Sequence, residues 1–200
     1  MASTHEKTSV RQKQIVDAAR KVIIKYGSEH VTVRKIAEET GISEGAIYRH
    51  FKSKRDILSL MIYDVESALL ADFKSLPKND PMTLETLETV VSRHIASVAR
   101  RKGVSFQVIA EIVSFGDKGL NQQVFDVINS YTNRVEDILS EGVKTGVIRA
   151  DIDLKAAAFL FFGMTQGLVN RWALSQYSFN LEEEYLSLWK LFREAVIKHR

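Results

Sequence analysis

Apolar residues recur at helical spacing along nearly the whole chain. Ile15, Ala18, Ala19, Val22, Ile23 and Tyr26 keep a 3.6-residue period, which predicts a helix over 10–26 that ends at Gly27. Residues 1–8 are polar and are expected to be disordered. Val33, Ile36 and Ala37 then stand at i, i+3, i+4, one apolar face of a short helix. Ile47 and Phe51, with Ile42 at the start, mark the inward face of a second one. Thr32 is placed to cap the first through its hydroxyl, and Ser43 the second. Gly41 between them is free to take φ > 0 and end the first helix. Two helices joined by a tight glycine turn, with polar and basic residues facing out from the second, form a helix-turn-helix pattern.

Beyond it the period continues. A long pattern runs over 54–76 through Ile57, Leu58, Met61, Ile62, Val65, Leu69 and Phe73, and Pro77 to Pro81 break it. Further helices are predicted over 81–101, 104–115, 120–143, 154–176 and 181–198, the fourth of these capped by Asp153. Gly116 to Gly119 and Gly142 to Asp153 read as connections. The expectation is an all-α chain of nine helices, divided into a DNA-binding domain at 9–55, with its motif at 32–51, and a body at 56–200.

Composition narrows the class. The chain has 200 residues, 45% hydrophobic and 26% charged, with 2 Pro and no Cys. Disulfides, thiolate nucleophiles and Cys-ligated zinc are therefore excluded. No apolar run resembles a signal peptide or approaches a membrane span, so a cytoplasmic protein with no membrane partner is expected. The net charge is +3, unevenly spread: residues 1–55 hold 12 Lys/Arg against 6 Asp/Glu, and the rest hold 16 against 19. A basic end on a mildly acidic body suits phosphate contact at that end. Five His show no metal-ligand spacing, and G-x-S-x-G, H-E-x-x-H and a glycine-rich phosphate loop are all missing. No enzyme, metal or cofactor is expected.

In the helix-turn-helix, Ser43, Glu44, Gly45 and Ala46 form the first turn of the second helix, the part of such motifs that approaches base edges. Gly45 costs about 1 kcal/mol of helix propensity, which a close approach of backbone to DNA would justify, a merely tolerated glycine being the alternative. Glu44 could accept from a cytosine N4 or merely cap the helix. Arg49 is the candidate for direct base reading, since a guanidinium pairs with guanine O6 and N7, a phosphate contact being the alternative. Arg34 and Lys35 open the preceding helix, where amides and cations can bind a phosphate together.

The stretch Val31 to Lys54 resembles the DNA-binding motif of the TetR family of bacterial transcriptional regulators. The likeness is carried by Thr32-Val33-Arg34-Lys35-Ile36-Ala37, Gly41-Ile42-Ser43, Gly45-Ala46-Ile47-Tyr48-Arg49-His50-Phe51 and Lys54. It implies that Tyr48, His50 and Lys54 contact phosphates. Packing for Tyr48 and a cap or surface role for His50 are the alternatives.

The body matches the family in length and helical pattern. Leu160, Gly163 and Gly167 lie on one stripe with Ala156, and small residues four apart let a second helix approach closely. With Tyr185, Trp189 and Phe192 on the last helix, this resembles the family's homodimer interface; completing a monomer core is the alternative. The resemblance also implies a small-molecule pocket. Phe106, Phe115, Phe125 and Phe162, with Phe159 and Trp172, would give its walls, and His94, Glu111, Gln166 and Asn170 its polar groups. The C-terminal third resembles family members that sense fatty acyl-CoA, a hydrophobic drug being the alternative effector. The resemblance thus implies a dimeric repressor that a largely hydrophobic effector releases from a palindromic double-stranded operator by shifting the 54–76 helix. An activator, or an interaction module without repressor activity, is the alternative on the same fold.

Overall fold

The computed structural model describes residues 2–27, 30–71 and 83–197, so the Pro77–Pro81 break lies outside the described residues. Among those residues there are nine helices: α1 (Ala2–Tyr26), α2 (Val33–Thr40), α3 (Glu44–Tyr48), α4 (Lys54–Ala71), α5 (Leu84–Arg100), α6 (Val104–Phe115), α7 (Lys118–Lys144), α8 (Leu154–Leu174) and α9 (Leu181–Val196). None is long and apolar enough to cross a membrane. The chain forms two compact units, 1–65 with 107–125 and 66–106 with 126–200. That division differs from a boundary at 55/56: α4, α6 and α7 each give residues to both units.

In the first unit α1 packs on α2, and α2 on α3. Ile15, Ala19, Val22 and Ile23 of α1, Ile36 of α2, Ile47 of α3 and Ile57, Leu58 and Met61 of α4 are wholly buried or nearly so. Each of these side chains apart from Ala19 contributes about 1.5–3 kcal/mol by leaving water. Two departures from the sequence pattern stand out. Residues expected to be disordered are helical, because α1 begins at Ala2 rather than near Val10. The expected connection Gly116–Gly119 is shorter than four residues, because the Asp117 carboxylate accepts from the Leu120 N–H at 2.9 Å and starts α7 at Lys118. Gly119 thus sits inside a helix, where an added Cβ would lie 2.7 Å from an Arg55 guanidinium nitrogen.

In the second unit α9 packs on α5 and α8. The Asp153 carboxylate caps α8 through the Ala156 N–H, and Asn180 caps α9 ahead of Glu182, Glu183 and Glu184, whose charges suit the positive end of the helix. Gly142, where the predicted 120–143 helix and the connection from 142 overlap, lies within α7. A Cβ there would be 2.7 Å from Ile148 Cδ1, so the glycine admits the buried Ile148 side chain. Ile148 in turn forms an isolated antiparallel bridge with Ile197, reinforced where Arg149 N–H donates to the Val196 carbonyl.

Candidate nucleic-acid interface and effector core

Local chemistry fixes the helix-turn-helix. The Thr32 hydroxyl accepts from Lys35 N–H and caps α2. Gly41 takes φ 72°, and its N–H and that of Ile42 close on the carbonyls of Glu38 and Ala37. Ser43 then accepts from Ala46 N–H at 3.2 Å to cap α3. Ile47 is fully buried and pins α3 from within. Glu44, Gly45, Tyr48 and Arg49 are exposed on its other sides, Tyr48 at 52%. Gly45 has open space around it, since the nearest atom to an added Cβ would be Ser43 Oγ at 4.0 Å. Nothing inside the chain requires a glycine there.

Helix α3 ends at Tyr48, so Arg49 stands at its C-terminal cap and His50 in the turn beyond. His50 is half-buried; its carbonyl accepts from Gln12 and its Nδ1 is buried without a hydrogen bond. Arg34 is exposed and pairs with Glu38 at 3.1 Å. The Lys35 ammonium sits 4.4 Å over the Tyr26 ring, with the Lys25 ammonium 4.9 Å from the same ring. Burial changes the reading of two residues. Lys54, expected at phosphate, donates to Glu111 Oε1 at 2.6 Å and lies 5.4 Å over the Phe115 ring. Glu111, expected at an effector, is buried at 5% exposure in that ion pair.

The second unit gathers aromatic rings around a few polar groups. His94 is fully buried and shares a 2.9 Å hydrogen bond with the Tyr131 hydroxyl. Phe161 borders both of these rings and also those of Tyr185 and Phe192. Gln166 Nε2 donates to Asn170 Oδ1 at 2.8 Å and to the Phe106 carbonyl at 3.4 Å, while its Oε1 is buried without a partner. Phe106 and Phe162 stand 6.0 Å apart. Burial pushes the Tyr185 hydroxyl far above the ordinary tyrosine pKa, so it stays protonated, with Thr165 beside it. A small apolar void of about 10 Å³ lies among Leu87, Val91, Ile138, Phe161 and Trp189, room for about one water.

Several expected site residues lie elsewhere. Phe115 and Phe125 belong to the first unit and are exposed, at 43% and 56%. Phe159 is likewise exposed. Tyr185, Trp189 and Phe192 face inward on α9 and are buried within their own chain, which leaves them little surface for a second copy. Leu160, Gly163 and Gly167 are exposed on α8, and Cβ atoms added to either glycine would meet nothing within 4 Å. Leu174 of α8 and Leu186 and Leu191 of α9 are also exposed, and the sequence pattern does not single them out. The signal they carry is an apolar residue off the main stripe. Tyr131 falls on an apolar face by its spacing alone; its hydroxyl is the further signal, because a buried phenol needs a partner.

Comparison with known proteins agrees with this geometry. Residues 15–61 match the family described as "Bacterial regulatory proteins, tetR family", and residues 67–195 match "YsiA-like protein, C-terminal region". The fatty acid metabolism regulator protein of Bacillus subtilis (strain 168) is 28% identical over 168 residues, 84% of this chain and 86% of that protein. The nucleoid occlusion factor SlmA of Vibrio vulnificus (strain YJ016) is 26% identical over 195 residues, 95% of this chain and 97% of its own. The solved structure of the transcriptional regulator FadR from Bacillus subtilis in complex with stearoyl-CoA superposes with a TM-score of 0.71 at 28% identity, covering 90% of this chain and 96% of that one.

Proposed function

Because the chain belongs to the tetR family of bacterial regulatory proteins, with a YsiA-like C-terminal region, we propose that it is a dimeric repressor released from a palindromic operator by a long-chain fatty acyl-CoA. The family is one of transcriptional regulators, not enzymes. The observation that carries the DNA-binding half is the outer side of α3, where Glu44, Gly45, Tyr48 and Arg49 are exposed while Ile47 alone anchors the helix. Arg49 reads bases, and Tyr48, Arg34 and Lys35 hold phosphates on either side of the groove. A single α3 reads one half-site, so two copies are needed to span half-sites about 34–36 Å apart. The exposed stripe Phe159, Leu160, Gly163 and Gly167 of α8 supports a second copy as the partner, because large and small apolar residues there stand uncovered.

The effector class rests on the likeness to the stearoyl-CoA-bound regulator. The chain's own residues fit it: Phe106, Phe162 and Phe161 offer apolar contact, and Gln166 Oε1 lacks a partner. Shifting the switch from 1:99 to 99:1 requires about 5.5 kcal/mol of preference for the released state.

The test is to select duplexes from a random-sequence pool with the purified protein and measure binding against salt. Log affinity should fall linearly with log salt, and stearoyl-CoA should dissociate the complex. Binding that is absent or insensitive to salt would overturn the DNA reading; release by a hydrophobic drug and not by stearoyl-CoA would overturn the effector class. Tyr48→Ala should weaken DNA binding and leave the dimer intact.

A further inference from the structure

The base of α4 is bound to the α6–α7 corner by a row of polar contacts within the first unit. Lys54 pairs with Glu111, Arg55 with Asp117 at 2.9 Å, and Ser59 donates to Gln123 at 3.2 Å. Lys54 and Glu111 differ from the other two. Arg55 and Asp117 keep 44% and 28% of their side chains exposed and Lys54 24%, whereas Glu111 keeps 6%. A buried carboxylate needs a cation, and in this structure Lys54 supplies it. The same lysine follows the helix-turn-helix by a few residues, at the start of the helix that leaves it. One ammonium has three N–H donors but a single charge, so it cannot neutralise both a buried carboxylate and a DNA phosphate.

We propose that Glu111 acts as an internal stand-in for DNA phosphate, holding Lys54 and so restraining DNA binding. For Lys54 to reach a phosphate the ion pair must open. Glu111 is fixed on α6 and buried, so it cannot follow, and a lone carboxylate is left out of water. Every engagement of Lys54 with DNA is discounted by that cost. A second effect acts at longer range: the pair is neutral as a unit, so the Lys54 charge is already cancelled before the nucleic acid arrives. Freed of its carboxylate, Lys54 would add one more cation for counterion release. Glu111 is thus a positioning residue, acting on DNA through Lys54 without touching it.

This inference rests on the DNA-binding reading above. It is tested with a duplex selected by the wild-type protein, by measuring affinity against salt for wild type, Glu111→Gln, Lys54→Gln and the double variant. Glu111→Gln keeps the shape of the side chain and removes its charge. It should bind about tenfold or more tightly at matched salt. The slope of log affinity against log salt should steepen by up to about 0.9 per protomer. Lys54→Gln should cost little in wild type, where the lysine is held, and at least about tenfold in the Glu111→Gln background. Weaker or unchanged binding by Glu111→Gln, or equal effects of Lys54→Gln in both backgrounds, would overturn the proposal and make the pair a purely structural clasp. Circular dichroism melting of each variant identifies any that fails to fold. A separate readout needs only wild-type protein: the Lys54 ammonium protons, observed by nitrogen-15 NMR, should be exchange-protected in the free protein and stay protected on adding the duplex. An ammonium that exchanges freely without DNA, or that loses its protection to the duplex in wild type, would also overturn it. If wild type binds no duplex at all, it is the DNA-binding reading that falls.

Discussion

Helix α3 has 5 residues and α9 has 16, and different forces hold them. A helix as short as α3 does not sustain itself in water. It is kept by a serine cap, a left-handed glycine before that cap and one buried isoleucine. Helix α9 is kept by rings: Tyr185 and Phe192 lie 6.5 and 5.6 Å from Phe161 of α8, and Trp189 stacks 5.8 Å from Phe192. Where short polar side chains finish the backbone, the remaining side chains are free to address another molecule. Where rings do the holding, the side chains are used up in the core, and function there has to work through the few polar groups they enclose.

The largest effect expected from breaking this contrast is at the ring cluster. Phe161→Ala removes the shared neighbour of His94, Tyr131, Tyr185 and Phe192 and should cost about 3–5 kcal/mol in urea unfolding. Salt-dependent DNA binding by the folded fraction should survive. Next, Tyr131→Phe strips the phenol that meets His94 and removes a buried hydrogen bond, at about 0.5–1.5 kcal/mol by the same measurement. In the helix-turn-helix, Ser43→Ala should cost about 1 kcal/mol of stability yet weaken DNA binding disproportionately, because the lost cap orients α3. Gly45→Ala sharpens the distinction further. With room for the methyl, it should gain about 0.5–1 kcal/mol in melting experiments while losing DNA affinity. A more stable variant that binds DNA as well as wild type would remove the case for backbone approach at that residue.

The smallest effect concerns acid. The Leu120 N–H, and then the Arg55 guanidinium, hold the Asp117 carboxyl below its ordinary value of 3.8. A carboxyl lowered in the folded state adds stability above its unfolded pKa and loses it as pH falls through the folded one. Asp117→Asn should therefore differ from wild type near neutral pH, and the difference should shrink once the pH drops below about 4. A urea midpoint gap that is constant from pH 7 to pH 3 would contradict the assignment.

Much of this architecture is legible in the sequence because it is local. Thr32, Gly41 and Ser43 cap and turn the chain through contacts with near neighbours, and Asp153 does the same at α8. Asp117 and Gly119 look like loop residues in the sequence because helix starts and glycine turns share a composition. The inward stripe of α9 is visible, but a stripe at helical spacing says only that something covers it. Here the cover is α5 and α8 of the same chain, and the surface apolar residues Leu186 and Leu191 lie off the stripe. Lys54 and Glu111 are 57 residues apart, and their surroundings in the sequence point to different sites, one to DNA and one to an effector. No periodicity links them; only the folded chain brings their charges together.

The brevity of α3 separates foldability from address. Glu44 and Arg49 support no part of the interior, and substitutions at such exposed positions commonly alter stability by no more than about 0.5 kcal/mol. On the proposed DNA-binding reading, a lineage carrying this scaffold can therefore exchange those letters and acquire a new operator without first rebuilding the protein. Ile47, on the same helix, does not share that freedom.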